Sequence, residues 1–201
     1  MSRISYDMEV NLLKFSTNME LIWILVILVG VILFWLILTY NGLITSRNRV
    51  DEAWSDIEVQ LKRRYDLIPN IVNTVKGYAK HEEGVFTKVT EARTAAMGAQ
   101  TMKEHAQAEN MLSETLKSLF AVSEAYPQLR ASDNFLQLQH ELTDAEDKIM
   151  ASRRFYNANV RDFNTKLQVF PTNVIAGTFG FTKRDFFDAP DVALETPQVS
   201  F

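Results

Sequence analysis

The chain has no cysteine, so its 201 residues can form no disulfide, Cys-ligated zinc site, iron–sulfur cluster or thiol nucleophile. Glycine and proline are scarce, at seven and five. That is too little punctuation for many short strands and turns, and the sequence predicts long helices of an all-α class. A basic surplus is missing as well: the formal charge is −4 with the signs interspersed. Nucleic acid is therefore not expected as a partner, because proteins that grip a phosphate backbone usually carry a net positive surface. The phosphate-loop, dinucleotide and nucleophile-elbow patterns G-x-x-x-x-G-K-S/T, G-x-G-x-x-G and G-x-S-x-G do not occur. His81, His105 and His140 have Tyr78, Met102 and Gln137 three residues earlier, where a di-iron bundle would place glutamate. In HELTD, residues 140–144, Asp144 replaces the second histidine of a zinc-protease helix. No catalytic, cofactor or metal site is expected. Neighbouring carboxylates such as Glu141 and Asp144 read as a solvated helix face.

Charge is absent altogether from one stretch. LIWILVILVGVILFWLILTY, residues 21–40, contains no charged side chain, and the run free of Asp, Glu, Lys and Arg continues to Ser46. Twenty helical residues span about 30 Å, the thickness of a bilayer's hydrocarbon core. Fifteen of the twenty are Leu, Ile, Val or Phe, which easily outweighs Gly30 on an insertion scale. Trp23 and Tyr40 stand where interfacial aromatics anchor the ends of a span. A cleaved signal peptide would have a shorter apolar region followed by small residues, whereas NGLITSRNRV follows here. The segment reads as an uncleaved, single-pass anchor in a bacterial inner membrane. Arg47, Arg49, Lys62, Arg63 and Arg64 outnumber Arg3 and Lys14, so the N-terminus is expected outside and the rest in the cytoplasm. Met19 is a second candidate start that would remove both N-terminal cations and make the first eighteen residues of the N-terminal tail, 1–20, an extension.

Beyond the anchor, three long helical regions are expected. In the first, Trp54, Ile57, Leu61, Ile68, Ile71, Val72, Val75 and Tyr78 draw one stripe at steps of three and four. The stripe keeps its phase through Pro69, which predicts a kinked but continuous helix and leaves the Tyr65 carbonyl needing a partner. The cations Lys62, Arg63 and Arg64 are expected to pair with Asp56, Glu58, Asp66 or another helix. GYAKHEEG, residues 77–84, supplies the stop. The second region, Val85 to Tyr126, has a weak middle at 97–105, where Thr101 and Glu104 have capping-box spacing, and a split there gives four helices in all. Tyr126-Pro127 closes it. In the third, begun by Ser132 and Asp133, Phe135, Leu142, Ile149, Tyr156, Phe163 and Phe170 recur every seven residues, with Leu138, Ala145, Val160 and Leu167 beside them, until Phe170-Pro171. The architecture expected is an antiparallel helical bundle over residues 41–187, with a flexible tail at 188–201. TNVIAGTFGF, residues 172–181, is expected to cap the bundle, the alternative being that it touches a membrane or a partner. Three legs put it at the end far from the membrane, although splitting the second region changes that count.

The blocks TYNGLITSRNRVDEAWSDIEVQLKRRYDLIPNIVNTVKGYAKHE, KSLFAVSEAYPQL, FLQLQHELTDAEDKI and FYNANVRDFNTKLQVFPTNVIAGTFGF, in this order, resemble the bacterial LemA family from the anchor to about Phe187. The resemblance implies one N-terminal membrane helix followed by a bundle usually described as four long antiparallel helices. It implies no catalytic site, and some relatives are connected with internal membrane organelles or signalling. Its signature positions fall here on Arg63, Arg64, Pro69, Asn70, Tyr126 and Pro127, and then on Tyr156, Asn157, Asn164 and Pro171. The expected function is a non-enzymatic membrane scaffold. It would be held in the bilayer by residues 21–40, self-associate as a homo-oligomer, and present its bundle to an unidentified membrane or cytoplasmic protein. The alternative is a signalling component working through the kinked first helix, and a metal-binding or enzymatic bundle ranks below both.

Overall fold

Apolar anchor and first bundle stripe lie on one helix. In the computed structural model, which describes the backbone of residues 3–187 and the side chains of residues 19–187, α1 runs through Arg3–Tyr78 with Pro69 inside it. The expected tail at 188–201 lies outside the described residues. After α1 come α2 (Glu83–Gly98), α3 (Met102–Glu124), the single turn α4 (Pro127–Arg130), α5 (Asp133–Lys166) and α6 (Thr172–Thr178). Among the described residues there is no strand.

The boundaries follow local chemistry. The second region divides at its weak middle, where Thr101 caps α3: its side chain accepts from the Glu104 N–H at 3.2 Å, and the Glu104 carboxylate accepts from the Thr101 N–H at 3.2 Å. A cap of this kind is worth about 1 kcal/mol to the helix. Tyr126, with φ −120° and ψ 87°, has left the helical region as a residue before proline must, and Pro127 opens α4 at a position that needs no N–H. The Ser132 carbonyl accepts from the Leu136 N–H at 3.0 Å in the first turn of α5.

Two compact units are distinguishable. One comprises the described residues up to Thr45 together with Lys166–Thr182; the other comprises Ser46–Thr165 with the described residues from Lys183 on. The second unit holds the main core. Ile57, Leu61, Ile68, Ile71 and Val75 of α1 are buried in it, with Phe86 and Val89 of α2, Leu112, Leu116 and Leu119 of α3, and Phe135, Leu142, Ile149 and Phe163 of α5. Each such side chain contributes about 1.5–3 kcal/mol by leaving water. Tyr78 departs from the expected stripe and is 44% exposed, because it stands on the last turn of α1.

Two expectations about the C-terminal part need correction. The helix of α5 ends at Lys166, not at Phe170-Pro171, and Phe170 is 81% exposed instead of continuing the heptad seam. The apolar segment that follows also lies elsewhere than expected. Ile175 and Ala176 of α6 form a small buried cluster with Leu43 of α1, against which Leu36, Leu167 and Phe181 pack. Tyr40 meets Phe179 with ring centroids 4.9 Å apart and Phe181 at 5.9 Å. The segment therefore joins the end of the apolar run. The count of three legs fails because the second region is two helices, which adds one reversal of the chain. The short helix ends in a Schellman motif: Gly180, at φ 71°, lets the Phe181 N–H reach the Ala176 carbonyl at 2.9 Å.

Candidate functional site

Between Leu61 and Ile68 the stripe of α1 has a gap, and Arg64 fills it. This side chain is fully buried and is among the largest in the core. Its Nη2 pairs with Oε2 of Glu109, which is equally buried on α3, and its Nη1 donates to Glu146 Oε1 on α5 at 2.5 Å and to Ser113 Oγ at 3.3 Å. The Tyr65 hydroxyl donates to Glu109 Oε1, and Arg153 Nη2 stands 4.0 Å from Glu109 Oε2. Two guanidinium groups thus face two carboxylates, and three long helices share one neutralised charge cluster. Burial pushes the Tyr65 phenol above its usual value against the opposing influence of Arg64 and Arg153, so it stays a hydrogen-bond donor at neutral pH. Such a cluster penalises any register of α1, α3 and α5 that separates its charges.

Arg63, one residue earlier, points to a different partner. It donates to Asp144 Oδ2 at 2.7 Å, and Lys148 reaches the same oxygen at 2.9 Å. The hydrogen bonds from Lys148 and then Arg63 hold the Asp144 carboxyl below the usual carboxylate range. Both sequence candidates thus pair with another helix. The carbonyl that Pro69 deprives of its helical donor is also accounted for: Arg93 Nε of α2 donates to Tyr65 O at 2.7 Å. Asn70, one residue beyond the proline, is exposed and lines a shallow surface depression with Lys62, Arg63, Asp66 and Glu141.

The three signature residues of the second half of α5 act together. Asn164 Nδ2 donates to Arg184 O at 2.8 Å while the Arg184 N–H donates to Asn164 Oδ1 at 2.9 Å. Asn157 makes the same two-point ring with Phe187, at 2.7 and 2.9 Å. Residues 181–187 form a strap without regular structure; seven residues of helix advance about 10.5 Å, and three residues of extended chain advance about 10 Å, so the two amides match the spacing of Arg184 and Phe187 along it. The Tyr156 hydroxyl donates to Asp185 O at 3.0 Å. Phe187 is buried where the strap ends, its ring 5.7 Å from that of Trp54 and under the Arg153 guanidinium at 4.6 Å, and Arg184 pairs with Asp51 of α1 at 2.9 Å. An Asn157→Asp change removes the donor and sets a carboxylate against the Phe187 carbonyl, a loss of about 1–3 kcal/mol. Trypsin should then cut after Lys183 or Arg184 roughly tenfold faster or more, since each 1.4 kcal/mol is a decade. Asn159→Asp is the control, because the Asn159 amide bonds back to Phe155 O on its own helix. Equal cleavage rates for the two variants would contradict the clamp.

The signature residues therefore do not converge on one cleft. Arg64 lies in the core, Tyr156, Asn157 and Asn164 hold the strap, Tyr126 and Pro127 form the α3–α4 turn, and Pro171 precedes α6. The partners Glu109, Glu146, Arg93 and Arg153 are not among the residues singled out from sequence. One signal for Glu109 was present: it falls three residues before Leu112 on the same stripe as Leu116 and Leu119, so an acid stood at a seam position opposite the Arg64 gap. His105 lies 5.3 Å from the Trp54 ring, and burial lowers its pKa despite Glu58 and Glu104 nearby. Among the described residues no group of three or more His, Asp or Glu side chains is placed to hold a metal ion.

Exposed apolar residues on α1, none of them buried within the 18-residue stretch that could cross a membrane, continue into a helical core locked by ion pairs. These features define a membrane-associated all-α protein. The LemA family model matches residues 53–201, and the chain belongs to the LemA family. It is 26% identical over 193 residues to magnetosome protein MamQ 2 of Paramagnetospirillum magneticum, covering 82% of this chain and 71% of that protein. It is likewise 26% identical over 168 residues to protein LemA of Metamycoplasma hominis, covering 83% of this chain and 77% of the relative.

Proposed function

We propose that the protein is a non-enzymatic scaffold, anchored by residues 21–40 as a single-pass span in a bacterial inner membrane, with its bundle in the cytoplasm. The observation that carries the anchor is the apolar length of α1, a run of Leu, Ile, Val, Phe and Trp with no residue of its 18-residue stretch buried in the protein, which only a lipid phase would solvate cheaply. The excess of Arg and Lys after the span supports the orientation. Anchored copies are confined to a plane at high effective concentration, so modest surfaces suffice for self-association. Leu136 and Met150, two heptads apart on α5, are exposed apolar residues of this kind. The magnetosome proteins among the relatives support a role in organising a membrane compartment, through homo-oligomers and a further membrane or cytoplasmic protein. The signalling alternative has less support, because Arg93 already occupies the carbonyl freed at Pro69.

The cysteine-free background makes the test direct. Met150→Cys in the full chain, treated in native membranes with a short bismaleimide, is expected to give a dimer band absent from the parent. A strictly monomeric pattern there, with a monomer after mild detergent extraction, removes self-association from the reading.

A further inference from the structure

From Leu167 to Thr182 the chain carries no Asp, Glu, Lys, Arg or His. Within this stretch Ile175 and Ala176 turn inward on Leu43, while Phe170, Val174 and Phe179 remain at 81%, 60% and 60% exposure. The inward face settles the height at which the outward face lies. It packs on Leu36 and Leu43, and Phe179 at its margin meets the Tyr40 ring; these are the last turns of the run whose length matches a bilayer core, where an interfacial tyrosine is expected. Leu36 to Leu43 covers about 10 Å along the axis of α1. An apolar face fixed at that level meets headgroups and upper acyl chains instead of bulk water, and interfacial segments bury about 5–10 Å into this boundary. Lysines at 166 and 183 close the charge-free stretch at both ends, as cations do where an apolar segment leaves lipid.

We infer that α6 and its flanks, Val169–Phe181, form a second membrane contact: a short interfacial wedge that inserts Phe170, Val174 and Phe179 into the same leaflet from which α1 emerges. The occupant of this apolar face is the acyl-chain boundary, continuous with the lipid around Leu36 and Tyr40. The inference rests on the anchor reading, since without a span there is no leaflet beside α6. Its consequence is a two-point attachment that restricts rotation of α1 about its own axis at the membrane surface.

The test uses single-cysteine variants Phe170→Cys and Val174→Cys of the full chain, labelled with an environment-sensitive fluorophore. The vesicles are of phosphatidylcholine and phosphatidylglycerol, with or without brominated acyl chains. Leu28→Cys in the span and Met111→Cys on α3 are the references. At positions 170 and 174 the emission is expected to shift blue, lose most of its intensity to brominated lipid and resist aqueous iodide; at 111 the reverse is expected. Labels at 170 and 174 that behave like the label at 111 overturn the wedge. So does resistance to iodide without quenching by brominated lipid, which means a protein, such as a second copy, covers the face. Loss of quenching at Leu28→Cys means that the anchor itself fails, whereas quenching at 28 without quenching at 170 and 174 removes only the wedge.

Discussion

Replacing Arg64 with methionine is expected to lower stability by about 3–5 kcal/mol, because it strands buried carboxylate charge that the guanidinium now neutralises. Glu109 is fully buried and would keep only the Tyr65 hydroxyl and the more distant Arg153 at 4.0 Å. Glu146 is 35% exposed and can turn to water, so most of the loss comes from Glu109. Adding Glu109→Leu to Arg64→Met should recover more than half of the loss, since an apolar pair of similar volume leaves no unpaired charge between α1 and α3. Arg64→Lys should fall between parent and Arg64→Met, because an ammonium is a single point donor where Arg64 serves both carboxylates and Ser113. Urea unfolding in detergent or nanodiscs reads these differences from the midpoint and slope. A loss below about 1 kcal/mol for Arg64→Met would mean that the cluster is readily hydrated and does not set the register.

The second large effect is a coupling. Arg93→Met should cost about 1.5–3 kcal/mol in the parent, the range for a hydrogen bond to a charged group, because the Tyr65 carbonyl has lost its helical donor at Pro69. In a Pro69→Ala chain the new N–H can reach that carbonyl, and the same Arg93→Met change should cost less than half as much. The difference is a double-mutant-cycle interaction of about 1 kcal/mol or more between residues 24 positions apart in sequence. Equal costs in the two backgrounds would show that Arg93 acts through packing alone. The cycle also bears on function: if Pro69 is a static bend held by Arg93, Pro69→Ala straightens α1 without creating a new state.

Much of this architecture was legible because it follows from short-range rules. Thr101 and Glu104 are three residues apart, and the capping box that this spacing predicts closes the split of the second region. Pro127 forces Tyr126 out of the helix whatever surrounds it. The seven-residue recurrence of Phe135, Leu142, Ile149, Tyr156 and Phe163 names the buried face of α5, and all five are buried. Reading failed at Phe170, where the recurrence persists in sequence but the helix has ended. Periodicity records which residues would share a face if the helix continued, and cannot say that it does. The placement of TNVIAGTFGF failed for a related reason: it depended on counting reversals of the chain, and one unresolved split changes that parity.

By itself the sequence determined the bilayer-length apolar run, the helical class, the phase of each stripe and the sites of the turns, since each depends on residues within about two turns of one another. Tertiary structure alone decided that Arg64 meets Glu109 and Glu146, that Arg93 reaches Tyr65, that Asn157 and Asn164 grip a strap about 20–30 residues later, and that α6 lies against Leu36 and Leu43. These partners lie tens of residues apart or more. A local pattern can show that Arg64 needs a carboxylate partner, but its burial and which carboxylate neutralises it depend on which helices come together, and that choice is made by the packing of the whole core.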